Sequence, residues 1–103
     1  MGKQKKPDKL TQAERSYLMF EKRALTKGGT SDGTVTPQSL QKLIDEYNNC
    51  FYCFLFLEDK NKSFDHVNPV GRGGVNGIDN IVISCYACNK LKNCFTLTEF
   101  LYY

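Results

Sequence analysis

Tryptophan is absent from this 103-residue chain, histidine occurs once, and no apolar stretch approaches a membrane span, which takes roughly 20 residues. The missing stretch excludes a helix that crosses a bilayer. The start, Met1-Gly2-Lys3-Gln4-Lys5-Lys6, runs into further charge rather than an apolar segment, so no secretory leader is expected. The expectation is a soluble, cytoplasmic chain without a membrane partner. With no tryptophan and a mean hydropathy of −0.45, the core of one small domain is thin. A structural metal would then contribute to folding itself. Internal repeats are absent beyond two short cysteine pairs.

Those pairs organise the chain. Cys50-Phe51-Tyr52-Cys53 and Cys85-Tyr86-Ala87-Cys88 each have metal-knuckle spacing. In a chain with no leader, five cysteines point to reduced thiols rather than disulfides. Four thiolates, Cys50, Cys53, Cys85 and Cys88, suit one tetrahedral Zn²⁺. Cys94 is left over and reads as a small apolar residue. A plain zinc ribbon has about 15–20 residues between its pairs. Here 31 intervene. A metal that pins both ends of so long an insert fixes its polar residues relative to one another. The insert therefore reads as the working part.

Charge is uneven. Residues 1–27 carry eight Lys/Arg against three Asp/Glu, while residues 50–103 carry five of each. Attraction for a polyanion would come from the N-terminal arm with a few placed cations, or the arm is a solvated tail. Residues 1–9 read as a disordered basic tail and 10–49 as an N-terminal helical segment. Thr11-Gln12-Ala13-Glu14 fits a capping box, and Ala13, Tyr17, Phe20 and Ala24 make one apolar face. Gly28 to Val35 reads as a polar connector. Thr36-Pro37 starts a second helix whose buried face is expected to be Leu40, Leu43, Ile44 and Tyr47. Residues 50–103 form the third part. The apolar run Phe54 to Leu57 and the stretch Ser63 to Val67 predict a hairpin with Asp65 and His66 on opposite faces of its second strand. A glycine-rich loop over 71–79, a buried strand over 80–84, a short helix from Cys85 and a brief last helix capped by Thr96 and Glu99 complete the reading.

The pattern Asp65-His66-Val67-x-Pro69-x-x-Arg72-Gly73-Gly74-x(5)-Asn80-x(4)-Cys85-x-x-Cys88-Asn89-x-x-Lys92 resembles the zinc-containing HNH endonucleases of the ββα-metal (His-Me finger) superfamily. Members of that family are frequent in phages and mobile elements. The resemblance covers Cys50 to about Phe100. It implies an α+β fold, with a ββα-metal core stapled by a four-cysteine structural zinc and preceded by two helices. It also implies a metal-dependent hydrolase that cuts DNA phosphodiesters, nicking as a monomer with low sequence specificity; a phage-encoded copy would act in the host cytoplasm. Carried onto these positions, it makes His66 the general base, Asp65 and Asn89 ligands of a catalytic cation, and Asn80 the residue that orients His66 through the loop. Where many relatives have glycine after the first cysteine pair, this chain has Phe54.

The residue types fit that chemistry. Phosphodiester hydrolysis needs a water deprotonated near neutral pH, for which imidazole is suited. Carboxylate and amide oxygens are hard donors that favour Mg²⁺ or Mn²⁺. Arg72, Lys90 and Lys92, with Arg15, Lys22 and Arg23 of the first helix, are candidate nucleic-acid contacts. The alternative is a zinc-stabilised nucleic-acid-binding module without activity, which Asp65, His66, Asn80 and Asn89 together disfavour.

Overall fold

The structure is a computed structural model that describes residues 10–102. The tail expected over residues 1–9 lies outside the described residues. Helix α1 (Gln12–Thr26) starts where Thr11 and Glu14 exchange side-chain-to-backbone hydrogen bonds, 3.1 Å from Glu14 N to Thr11 Oγ1 and 2.8 Å from Thr11 N to Glu14 Oε1. Two of the four amides that a helix start leaves unpaired are thereby addressed. Ala13, Phe20 and Ala24 are buried along one face. Helix α2 (Pro37–Glu46) is capped by Thr36, with Ser39 answering as the reciprocal partner. Leu40 and Ile44 are buried, but Tyr47 is 55% exposed and not part of the buried face expected for it. It already lies past the helix, in extended backbone.

Between the helices the connector is not featureless. Strand β1 (Thr30–Ser31) pairs in parallel with β3 (Val75–Asn76), so it ties the N-terminal segment to the glycine-rich loop.

The expected hairpin is corrected. Residues 54–57 form no strand; Phe56 pairs with Asn49 at a single position, and Phe54, Leu55 and Phe56 are exposed while Leu57 alone is buried. Their backbone serves the first cysteine knuckle instead: Phe54 N–H donates to Cys50 O at 2.9 Å, and Cys50 N–H to Leu55 O at 2.9 Å. Strand β2 (Ser63–His66) pairs antiparallel with β4 (Ile81–Ser84), placing Phe64 opposite Ile83 and His66 opposite Ile81. Helix α3 (Tyr86–Lys92) follows at once, capped by Cys85, and α4 (Leu97–Leu101) closes with the Thr96–Glu99 capping box. Phe64, Ile81 and Ile83 join Phe20, Leu40 and Ile44 in one core.

The Arg72-Gly73-Gly74 turn requires both glycines. Gly73 has φ +94°, and a Cβ on Gly74 would stand 1.8 Å from the Asn68 carbonyl oxygen. Among the described residues no helix is long and apolar enough to cross a membrane.

Candidate metal centre and active-site cleft

The two knuckles meet. The Sγ atoms of Cys50, Cys53, Cys85 and Cys88 lie within 4.8 Å of one another, with Cys53 and Cys85 3.9 Å apart. A tetrahedral zinc with bonds of about 2.3 Å separates its sulfurs by about 3.8 Å. The donor set therefore fits that ion. Backbone amides already face the sulfurs, from Tyr52 and Cys53 to Cys50 at 3.4 Å each and from Cys88 to Cys85 at 3.3 Å. Burial opposes ionisation of Cys50, but amides and neighbouring thiols outweigh it and bring that thiol down to about 7. Burial, then its sulfur neighbours, pushes Cys88 upward. Four such thiols cannot all shed protons without a cation to balance them.

From this anchor β4 runs back along β2, and α3 lies across β2, so the insert's polar residues are held at short range. His66 and Asp65 both line one open cleft, together with Asn89. His66 is 6% exposed and packs edge-on against Phe20 at 4.5 Å. Its pKa is lowered, chiefly by burial, with the Asn76 hydrogen bond and Asp65 opposing and Arg23 and Lys92 adding to the fall. A neutral imidazole is the form that accepts a proton.

Asp65 is held by a different set of partners. Its Oδ2 accepts from Tyr52 Oη at 2.5 Å and from Lys92 Nζ at 3.1 Å. The Tyr52 hydroxyl is held well above its usual range, by burial first and then by that carboxylate. Asn89 Nδ2 donates to the Phe64 carbonyl at 3.3 Å, which leaves its Oδ1 as the oxygen available in the cleft. Asp65 and Asn89 thus offer a carboxylate and an amide oxygen, a hard-donor pair suited to a divalent cation.

Asn80 closes the loop instead of touching the imidazole. It donates to the carbonyls of Asn68 (2.9 Å) and Val75 (2.8 Å) and accepts from Asn68 N–H (3.0 Å). The side chain that bonds His66 is Asn76, whose Oδ1 lies 2.9 Å from His66 Nε2. Sequence reasoning passed over Asn76, as it did Tyr52. A position inside a glycine-rich loop carries no periodic signal, and only the β1–β3 pairing brings it inward.

The candidate nucleic-acid contacts divide. Arg23, Arg72 and Lys90 line the cleft, joined by Lys27. The guanidinium of Arg72 makes a bidentate pair with Glu99 at 3.0 and 2.9 Å, which holds its pKa up. Arg15 donates to the Leu10 carbonyl, and Lys22 is exposed away from the cleft lining. Lys92 is corrected from surface contact to interior residue. Its side chain is wholly buried, with Nζ on Asp65 and, at 2.9 Å, on the His66 carbonyl.

A strand pair running into a helix, with a histidine on the first strand and a four-cysteine cluster at the helix start, is the arrangement expected from the resemblance to zinc-containing HNH endonucleases. Residues 50–94 match the family model for HNH endonucleases. It is 30% identical over 106 residues to the "SPbeta prophage-derived putative HNH endonuclease YoqL" of Bacillus subtilis, an alignment covering 94% of this chain and 46% of that protein. It is 29% identical over 85 residues to an uncharacterised protein of Acanthamoeba polyphaga mimivirus, covering 82% of this chain and 15% of that protein. The chain therefore spans less than half the length of either relative.

Proposed function

We propose that this chain is a metal-dependent endonuclease that hydrolyses phosphodiester bonds in DNA, nicking one strand per encounter with little sequence preference. In this reading His66 is the general base, Asp65 and Asn89 hold Mg²⁺ or Mn²⁺, and Asn80 keeps the loop beside His66 in place. Cys50, Cys53, Cys85 and Cys88 hold a structural Zn²⁺. The observation that carries it is the shared cleft: a proton acceptor and a hard-donor pair open to the same space as Arg23, Lys27, Arg72 and Lys90.

His66 takes a proton from a water placed against the phosphorus, and the cleft cations hold the phosphate oxygens. A divalent cation, when bound, supplies neutralisation of charge on the phosphate and the departing 3′ oxygen. Asn89 presents its oxygen because its nitrogen is engaged with the Phe64 carbonyl, and Asp65 keeps one oxygen outside its bonds to Tyr52 and Lys92. The products would carry 5′-phosphate and 3′-hydroxyl ends.

Supercoiled plasmid incubated with zinc-loaded protein and Mg²⁺ or Mn²⁺ tests this. The parent is expected to nick it, and His66→Ala to be slower by about a hundredfold or more. Equal nicking by the two would remove His66 as the base. Plasmid bound by both proteins and cut by neither would favour a zinc-stabilised binding module.

A further inference from the structure

Behind His66 runs a chain of hydrogen bonds that starts on α1. Glu21 Oε2 accepts from Asn76 Nδ2 at 2.7 Å and from Ser31 Oγ at 2.8 Å. Asn76 is fully buried, and its Oδ1 faces His66 Nε2. The direction of each bond follows from the groups. A carboxylate only accepts, so Asn76 must turn its amide nitrogen toward Glu21 and its oxygen toward the imidazole. An amide oxygen also only accepts, so the ring nitrogen facing it must carry the proton. A neutral imidazole has one N–H. Nδ1 is then the nitrogen left with a lone pair.

The surroundings hold this order. The Ser31 hydroxyl donates to Glu21 and stands 3.4 Å from Asn76 Nδ2, as an acceptor on the same side. The β1–β3 pairing sets Ser31 opposite Asn76. The Phe20 ring, packed against the imidazole at 4.5 Å in a T-shaped contact, resists a ring flip. Glu21, Ser31 and Phe20 all lie before residue 50, outside the stretch that matches the nuclease family.

We propose that Glu21 and Asn76 are positioning residues that hold His66 in its Nε2–H tautomer, making Nδ1 the atom that takes the proton of the attacking water. The second half rests on the nuclease reading above; the tautomer is a property of the free protein. In the step itself the water gives a proton to Nδ1, and its oxygen forms the new P–O bond. The bond from phosphorus to the 3′ oxygen breaks, and that oxygen leaves with the electron pair and is protonated from solvent. His66, then protonated on both nitrogens, returns its extra proton to solvent. During that interval Nε2–H still meets an amide oxygen backed by a carboxylate.

Because His66 is the only histidine, a long-range ¹⁵N–¹H spectrum of the zinc-loaded protein reports its tautomer without assignment, at about pH 8 where an ordinary imidazole is neutral. The parent is expected to show Nε2–H. Glu21→Lys replaces the acceptor by a donor, which should flip the Asn76 amide and move the proton to Nδ1. Nicking by that variant should fall about tenfold or more, in kcat rather than in DNA retention, since a cation has been added near the cleft. Glu21→Gln keeps an acceptor and should retain both the Nε2–H pattern and most of the activity. An Nδ1–H pattern in the parent overturns the proposal without any variant, and so does an unchanged tautomer in folded Glu21→Lys. If the tautomers behave as expected but the parent never cuts DNA, the positioning is upheld and the role given to Nδ1 is overturned.

Discussion

Asp65 serves two demands with one carboxylate. Its Oδ2 is committed to Tyr52 and to Lys92, whose side chain is fully buried beside a carboxylate that is 8% exposed. An ion pair this dry adds little net stability, yet removing one partner strands the other charge. Lys92→Met should therefore cost about 3 kcal/mol or more in urea unfolding of the zinc-loaded protein. Adding Asp65→Asn to it should recover much of that loss, because the stranded charge is gone. A Lys92→Met variant as stable as the parent would mean the ammonium is not needed to keep Asp65 in place. The opposite sign is expected at Phe54, which sits at φ +68° with its side chain 75% exposed. A left-handed backbone costs a side-chain-bearing residue about 1–2 kcal/mol, and glycine's greater freedom in the unfolded chain returns part of that. Phe54→Gly should raise the thermal midpoint by a few degrees, and a lower midpoint would show that the exposed ring has a packing role.

At the scale of elements, what could be read in advance was what is local. Each cap at Thr11, Thr36 and Thr96 is a bond between residues three apart, so the helix starts stand in the sequence itself. The cysteine knuckles are legible for the same reason. The apolar run 54–57 is not, since hydrophobicity predicts a buried strand while knuckle geometry turns three of its four side chains outward. Nor are the long-range polar pairings, such as Glu21 with Asn76, which meet across 55 positions. Lys62 is the clearest case. Its charge predicts a surface, but its side chain is buried and its ammonium donates to the Ile44 carbonyl, to Asn48 Oδ1 at 2.9 Å and to Asp59 Oδ1 at 2.9 Å. The Ile44 carbonyl belongs to the last turn of α2, where a helix leaves its acceptors unpaired. Lys62 is thus the strap between the end of α2 and the start of β2. Lys62→Met keeps the bulk and loses the bonds, and should cost about 2 kcal/mol. Hydrogen exchange should quicken first around residues 44–49. Uniform quickening across the molecule would place the loss in the core rather than at this junction.

For the molecule as a whole, the sulfur cluster is expected to decide whether these elements belong to one body. The first knuckle follows α2 and the second joins β4 to α3, so the ion would close a loop that contains β2, β3 and β4 with Asp65, His66 and Asn80, and Asn89 follows its last ligand directly. The core beneath is small, and Cys50 and Cys85 are themselves part of it. Removing the ion takes out a cross-link and leaves buried thiols together, and metal binding energy in such small domains is largely folding energy. A strong chelator should therefore unfold the protein in one transition, with loss of helical circular dichroism, rather than leave a folded apoprotein. Thiol counting makes the prediction quantitative. Of five cysteines, only Cys94 is outside the cluster, and it is exposed. One thiol should react promptly with a disulfide reagent in the zinc-loaded protein and all five after chelation, and Cys85→Ser should behave as the chelated form does even when zinc is supplied. A native protein in which Cys53 reacts as fast as Cys94, or a Cys85→Ser variant with the parent's thermal midpoint, would mean that packing alone assembles the cleft and that the cluster has no part in placing His66.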